Sequence, residues 1–381
     1  MIRPIFYDFL KFMTWLTHLV HFRRYRNHYN HPLPKDASII FAANHQNSFM
    51  DAIALIAAQS GRPTWLTRAN MFKTAIARFW LHALYMIPIY RTRDGLREVS
   101  KNQEIIKECI RLLNEEKQPI GIFPEGNHNL KYSLRPLQKG IARIAFDAAE
   151  QSDDVDKLYI VPCGFTYSDH THFRTNLLVI MGEPIPVKPY YEQWKESTGK
   201  ATRDLLNTVR VKLSEVMIHI EPENYEETFR TWQRNKPYHP NLQKEFLLDK
   251  EMIRQIESGE FKEEPIKKSK FMNSLYAVLG FPLFLLGWLN NLPVWAVSTY
   301  LVKKVVTDEH FVAPIRCYSG LVIVPLFYLI QGLLINLVLP VWWWSLVYLL
   351  VIFILGQFAG DYYYRFFTTP RAEQKIPGPV A

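Results

Sequence analysis

The segment 44–51 contains two side chains that can handle one proton between them. His45 follows an apolar run that ends at Ala43, and Asp51 lies six positions further along the chain. A neutral imidazole can take a proton from a hydroxyl group near pH 7, and a carboxylate that holds the ring fixes its tautomer and stabilises the imidazolium. The pair therefore predicts a general base, His45, oriented by Asp51. Ordinary capping at a strand end is the competing interpretation.

Two further blocks follow apolar runs of strand type. The block from Phe123 to Gly126 brings a carboxylate, Glu125, and a glycine that lets the backbone approach a ligand closely. Arg91 follows a second such run, and a guanidinium can hold a phosphate group through two parallel hydrogen bonds. The alternatives are a plain turn for the first block and a solvated arginine for the second.

Three cations lie between the glycine of that block and Gly140, where a helix is expected to begin. They are Lys131, Arg135 and Lys139. The N-terminal end of a helix favours an anion, and Lys139 directly precedes it. This stretch is therefore a second candidate for contact with a phosphate group.

These residues need elements that bring them together. Strand-like runs alternate with helical patterns between residues 37 and 186, which predicts an α/β fold with a mixed central sheet flanked by helices. Because the chemically active residues follow strands, they are expected in loops at one edge of the sheet. The predicted strands are 38–42, 64–67, 87–90, 120–123, 158–165 and 176–181, and the predicted helices are 71–85, 96–115 and 140–151.

The segments on either side of this α/β domain, which we place at 32–188, have a different character. Residues 1–31 predict an amphipathic helix in the membrane interface followed by a basic linker, although an ordinary core helix would show the same periodicity. Residues 189–270 are polar and predict a helical extension without catalytic residues of its own.

Long apolar runs follow in the region 271–360. Each is close to the length needed to cross the hydrocarbon layer of a membrane, and they cover residues 271–289, 317–337 and 341–359. The stretch 293–302 is too short to cross and predicts a re-entrant piece. The connections 290–293 and 339–340 carry no charge, whereas cations gather at the other ends: Lys267, Lys268, Lys270, Lys303, Lys304, Arg316 and Arg365.

The distribution of these cations predicts an orientation. Positively charged ends of apolar segments stay on the cytoplasmic side. The sequence thus predicts an integral membrane protein whose catalytic domain and tail, 361–381, lie on the cytoplasmic face. The formal net charge of +9 is then explained by anionic lipid headgroups and phosphorylated substrates, and no nucleic-acid recognition motif is found. Cys109, Cys163 and Cys317 are scattered, which predicts neither a disulfide framework nor a metal site.

The order of the blocks resembles the glycerol-3-phosphate and 1-acylglycerol-3-phosphate acyltransferase family. The resemblance covers roughly residues 32–186 and includes the block 44–51, the block ending at Arg91, the Phe-Pro-Glu-Gly block and a block around Pro162. It implies that His45 activates an acceptor hydroxyl for direct attack on the thioester of an acyl-CoA or acyl carrier protein, with no metal or organic cofactor. It also maps the family's phosphate-binding arginine to Arg91 and its acceptor-site Glu-Gly pair to Glu125 and Gly126. The predicted set of substrate-binding residues further includes Asn44, Arg135 and Lys139.

Two departures from the family pattern bear on the acceptor. Five residues separate His45 from Asp51 where the family usually has four, and branches that acylate glycerol-3-phosphate or dihydroxyacetone phosphate are similar in this longer spacing. Asn127-His128-Asn129 replaces the more common Thr-Arg-Ser, so Lys131, Arg135 or Lys139 is expected to supply the missing cation, and His128 is expected to be an exposed loop residue. Two alternative functions stay open. One is an acyltransferase that acts on another lyso-lipid or an aminolipid, and the other is a non-catalytic lipid-binding membrane protein.

Overall fold

The computed structural model describes residues 2–59, 61–90, 97, 100–263, 270–306, 309–339 and 341–368. Within them a mixed sheet has the strand order β1-β7-β6-β2-β5-β3-β4, with β8 beside β6. The five strands from β6 to β4 are parallel, and β7 runs against them. The strands are β1 Arg24–Tyr29, β2 Ser38–Ala43, β3 Thr64–Arg68, β4 Met86–Ile89, β5 Ile120–Ile122, β6 Leu158–Tyr167, β7 Asn176–Met181 and β8 Ile185–Pro186.

Helices cover both faces of this sheet, as predicted. The helices are α1 Ile2–His21, α2 Phe49–Ala58, α3 Ala75–Ala83, α4 Asn102–Asn114, α5 Gly140–Glu150, α6 Lys188–Glu196, α7 Thr198–Val216, α8 Tyr225–Asn235, α9 Leu242–Glu257, α10 Lys270–Val305, α11 Val312–Val338 and α12 Trp342–Phe366. The alternation of side chains along β2 shows why both faces are covered. Phe41 and Ala43 join a core formed with α1, α2 and the start of α11, while Ile40 and Ala42 join a core formed with α4, α5 and α7.

The basic linker expected before residue 32 is wrong, because residues 24–29 form the edge strand β1. It pairs in parallel with β7. Tyr25 is buried, and Arg24 holds Glu245 of α9 through both carboxylate oxygens at 3.1 and 2.8 Å. An edge strand keeps one side open to solvent, so it tolerates the charged residues that concealed it in the sequence.

Pro162 lies inside β6, where its missing N–H would leave a gap in a continuous ladder. On one side β6 pairs with β2 from Leu158 to Cys163. On the other side the partner changes, from β8 at residues 159–160 to β7 at residues 163–167. Pro162 occupies the interval between these two partners, which is the interrupted strand that a proline in an apolar run predicts.

In the described residues, three helices are long and apolar enough to cross a membrane: Phe271–Val305, Val312–Val338 and Trp342–Phe366. Two of them, α11 and α12, are anchored to the α/β domain at their polar ends. The guanidinium of Arg174 donates to both carboxylate oxygens of Asp361 in α12, at 2.9 and 3.1 Å. Arg316 of α11 donates to the carbonyl oxygen of Thr171 at 3.3 Å.

Helix α10 differs in one respect from the sequence-based expectation, which places a break at Pro293. The helix continues through Pro293. Halfway along, the side-chain amide of Asn290 donates to the Tyr348 hydroxyl of α12 at 2.7 Å. Only three residues separate its end from the turn Glu309–Phe311, a reach of about 14 Å. The end of α10 is therefore held close to the α/β domain, which that turn contacts.

Candidate active site

His45 leaves β2 at the C-terminal edge of the sheet, and its Nδ1 lies 2.9 Å from Oδ2 of Asp51. The same oxygen accepts the backbone N–H groups of Gln46 and Asn47 at 2.8 and 2.7 Å, and Oδ1 accepts the Tyr167 hydroxyl at 2.7 Å. A carboxylate with these donors accepts the Nδ1 proton of the imidazole as well. Nε2 then carries the lone pair of a base.

The five-residue spacing between the imidazole and the carboxylate is absorbed just before α2. Ser48 has a φ of 49°, in the left-handed region that is uncommon for residues other than glycine. Helix α2 begins at the next residue, so Asp51 lies in its first turn. This reversal turns the backbone amides of Gln46 and Asn47 toward the carboxylate, and the longer loop still forms the hydrogen bond to His45.

Asp51 is fully buried, and burial raises its pKa to about 7. The hydrogen bonds from the Asn47 amide, the Tyr167 hydroxyl and the Gln46 amide act in the opposite direction, because they favour the charged form. The imidazole and the carboxylate are in contact, so the proton uptake belongs to the pair. Burial and hydrogen bonding thus act on the protonation of Asp51 in opposite directions.

Glu125 connects the Phe-Pro-Glu-Gly loop to the backbone of His45. Its Oε1 accepts the backbone N–H of His45 at 2.6 Å, and its Oε2 accepts Nε of Arg135 at 2.9 Å. The backbone N–H of Asn129 in turn donates to the His45 carbonyl at 3.1 Å. Burial raises the pKa of Glu125, and the Arg135 guanidinium opposes this shift. Glu125 and Arg135 thus hold the loop that carries the base.

The other predicted binding residues have different surroundings. Asn44 is fully buried, and its amide exchanges hydrogen bonds of 2.7 and 3.2 Å with the backbone of Phe165. Both polar atoms of the Asn44 side chain thus fasten β2 to β6, and its contact with substrate stays a prediction. Gly126 has a φ of 70°, which favours glycine at this turn. Lys139 is exposed where α5 begins, and Arg91 lies outside the described residues.

Helix α5 begins next to the Phe-Pro-Glu-Gly loop. The backbone N–H of Gln138 donates to the Pro124 carbonyl at 2.7 Å, which brings the N-terminal end of α5 to Gly126. Lys131 has its ammonium group 4.9 Å from the centre of the Tyr225 ring, where a cation–π contact holds it. Lys139 is thus the cation that accompanies this helix terminus, as its position in the sequence predicts.

Sequence reasoning missed the aromatic wall of the site. The Phe123 ring stacks on the His45 imidazole, with 3.9 Å between centroids and 14° between planes. Trp65 of β3 stacks behind Phe123 at 5.3 Å. One face of the base is therefore covered by an apolar ring, which excludes water and fixes the ring plane. Phe123 precedes the motif glutamate at a strand end, and that position was the available signal.

His128 was expected to be exposed, and this is wrong: it is buried, with its ring edge-on to His45 at 5.3 Å. Nη2 of Arg68 lies 2.6 Å from Oδ1 of Asn127 and 3.3 Å from Nδ1 of His128. A guanidinium can only donate, so Nδ1 of His128 accepts and the ring carries its proton on Nε2. Arg68 ends β3 at the same sheet edge and brings a cation to the Asn127-His128 pair.

Residues 24–166 match the family model described as Acyltransferase. The yeast Saccharomyces cerevisiae has two similar proteins. Glycerol-3-phosphate O-acyltransferase 2 is 36% identical over 98 residues, and glycerol-3-phosphate O-acyltransferase 1 is 35% identical over 104 residues. Each alignment covers 26% of this chain and 13% of the yeast protein. The chain thus aligns with only a small part of these longer relatives.

Among solved structures, the 1-acyl-sn-glycerophosphate (LPA) acyltransferase PlsC from Thermotoga maritima aligns with 55% of this chain and 81% of its own. The identity is 15% and the TM-score is 0.38. The family model covers the strands and loops that carry His45, Asp51 and Glu125. The segment 24–166, with these three residues, therefore matches the acyltransferase family, in agreement with the resemblance to the glycerol-phosphate acyltransferases.

Proposed function

We propose that this protein is a membrane-bound enzyme that transfers an acyl group from a thioester, of acyl-CoA or acyl carrier protein, to a hydroxyl of glycerol-3-phosphate or its 1-acyl form. The observation that carries the proposal is the 2.9 Å hydrogen bond from the His45 ring to the buried carboxylate of Asp51. Because Asp51 also accepts three other donors, the carboxylate is held in place as a counter-charge.

In the proposed reaction one proton moves from the acceptor hydroxyl to the His45 imidazole and then from the imidazole to the leaving thiolate. Nε2 of His45 takes the proton of the acceptor hydroxyl while the oxygen attacks the thioester carbonyl. The tetrahedral intermediate collapses with loss of the thiolate, which receives the proton from the imidazolium. The new bond is an oxygen ester, the broken bond is the thioester, and the base is regenerated. Asp51 stabilises the imidazolium, so no cofactor is required.

A phosphorylated acceptor also needs a cation beside the base. Arg135 is committed to Glu125, which argues against Arg135 as the replacement for the missing family arginine. Arg68 is better placed, because its guanidinium reaches the Asn127-His128 pair next to His45. We assign acceptor phosphate binding to Arg68, which Asn127 and His128 hold in place, and Arg91 stays a prediction for the same group. The yeast relatives named for glycerol-3-phosphate favour that acceptor.

We place the enzyme in a membrane with its catalytic domain on the cytoplasmic face. The support is the set of three apolar helices and the cations at their ends. The described ends of α11 and α12 that carry charge, Arg316 and Asp361, contact the α/β domain directly. The catalytic domain would then lie against the bilayer surface, where a long acyl chain can remain in an apolar environment during transfer.

The test is an assay of the purified full chain in vesicles, supplied with acyl-CoA and offered glycerol-3-phosphate and its 1-acyl form side by side. We expect glycerol-3-phosphate to be acylated faster. His45→Ala should lower kcat by about 10²- to 10⁴-fold while the protein stays folded and in the membrane, since a general base contributes that much. Turnover like that of the wild type in this variant would refute the mechanism. Acylation of neither acceptor would refute the proposed substrate class.

A further inference from the structure

The first turns of α11 belong to the core of the catalytic domain. Ala313 and Cys317 are buried in the same core as Met50 of α2. The Tyr318 hydroxyl lies 3.1 Å from Nε2 of His18 and 3.7 Å from the sulfur of Met50. Helix α11 is therefore packed against α2, the helix that carries Asp51. The residue it contacts there, Met50, directly precedes Asp51 in the sequence.

A second connection runs through the segment that follows β6. Arg316 of α11 donates to the carbonyl oxygen of Thr171. The neighbouring His170 lies with Nε2 3.1 Å from the side-chain oxygen of Gln46, and its carbonyl accepts the side-chain amide of Asn47 at 2.9 Å. Gln46 and Asn47 supply the backbone amides that hold Asp51. The membrane helix and the catalytic loop thus share one hydrogen-bonded segment.

The turn Glu309–Phe311, which leads into α11, reaches the site itself. His310 is buried, and its ring centroid lies 4.5 Å from that of His128 at an interplanar angle of 58°. Phe311 meets the same imidazole edge-on at 6.0 Å. On its other side His128 meets His45. Two consecutive residues of this turn therefore form the wall against which His128 is held.

We propose that His310 is a positioning residue for the acceptor, acting through His128. Its ring keeps the His128 imidazole in the orientation in which Nδ1 accepts from Arg68, so that the guanidinium stays in place for the acceptor phosphate. The proposal rests on the proposed function, since it assigns the same phosphate group. It makes the C-terminal membrane region a component of the acceptor site, in addition to an anchor.

The experiment compares His310→Ala with His310→Phe in the full chain. Loss of the ring should raise the KM for glycerol-3-phosphate by about tenfold or more and change kcat by less than about threefold, because binding is removed and proton transfer is not. The Phe variant keeps an aromatic ring against His128 and should stay within about threefold of the wild-type KM. The matched control is His31→Ala. His31 is exposed and follows β1, which runs against β2 and so ends at the opposite sheet edge.

A double-mutant cycle tests whether the effect passes through His128. The KM of His128→Ala should be nearly the same with and without His310→Ala, because residues that act as a unit are not additive. Should His310→Ala fail to fold, the cycle is run with His310→Leu. Additive effects, an unchanged KM in His310→Ala, or a Phe variant as impaired as the Ala variant would each overturn the proposal. A wild-type protein that acylates neither acceptor would instead overturn the proposed function.

Discussion

The two edges of the central sheet both carry a carboxylate next to a basic side chain, yet they differ in almost every physical respect. At the C-terminal edge, Asp51 is fully buried and accepts four hydrogen bonds. At the opposite edge, a cleft of about 1080 Å³ is lined by Asp8, Lys11 and Arg62 of the α1 side. There the Asp8 side chain is 54% exposed and pairs with Arg62 at 2.7 Å.

The comparison shows that an open, charged cleft and a buried, hydrogen-bonded pair differ in how strongly one charge acts on its partner. Water screens the exposed Asp8–Arg62 pair, so either charge can change at little cost to its partner. The carboxylate of Asp51 has no such screening, and a change in its charge acts fully on His45. The buried edge therefore has the pair that can direct a proton, although the cleft lies at the other edge. In parallel α/β sheets, ligands generally bind at the edge formed by the C-terminal ends of the strands, which is where His45 and Asp51 lie here.

The sharpest way to break this contrast is Asp51→Asn. The amide keeps the shape but removes the counter-charge of the imidazolium, and one of its two polar atoms becomes a donor facing groups that also donate. We expect kcat to fall by about 10²- to 10⁴-fold, the range seen when a base loses its orienting carboxylate. The control is Asp8→Asn at the other edge, measured in the same assay. Equal losses in the two variants would contradict the assignment of the site.

Removal of a single donor to Asp51 should have a smaller and pH-dependent effect. Tyr167 donates its hydroxyl to Oδ1 and so lowers the pKa of Asp51. In Tyr167→Phe that pKa should rise by about one unit, because a hydrogen bond to a charged group is worth about 1.5 kcal/mol. The acid limb of kcat/KM, expected near pH 7 in the wild type, then moves to higher pH. A profile of kcat/KM between pH 5.5 and 9 measures the shift.

The sign of this shift follows from which form is active. The deprotonated pair is needed for His45 to act as a base, so activity falls as the pH drops through the pKa of the pair. The stability contribution of Asp51 has the opposite dependence: its folded pKa lies above the ordinary 3.8, so it decreases as the pH rises from about 4 to about 7. An acid limb that stays at the same pH in Tyr167→Phe would show that another group controls it.

Sequence analysis identified the residues that can be recognised from their immediate neighbours in the chain. His45, Asp51 and Glu125 each lie at or near a strand end in a recognisable block, and strand ends are visible as apolar runs. The groups around them come from distant parts of the chain: Tyr167 of β6 donates to Asp51, and His310 of the turn before α11 packs on His128. No spacing rule links residues more than 100 positions apart, so these contacts depend on the tertiary fold.

The same reasoning explains the errors about elements. Strand β1 has one buried apolar residue, Tyr25, and its pairing with β7 becomes apparent only in the sheet. Pro293 signals a break by its chemistry, but a proline removes one hydrogen bond and does not forbid helical geometry on either side. His128 follows a turn motif typical of exposed loops, and the C-terminal helices cover it. In all three cases a long-range contact decided what local preference left open.

The smallest expected effect concerns the large cleft at the opposite edge. Arg62→Ala removes the ion pair with Asp8 and leaves the buried edge of the sheet untouched. Because exposed pairs contribute little to stability and lie far from the base along the strands, kcat and KM should change by less than about twofold. The test measures kcat and KM of Arg62→Ala and of Asp51→Asn in the same assay. A loss of kcat/KM comparable to that of Asp51→Asn would move the active site to the cleft and end the contrast between the edges.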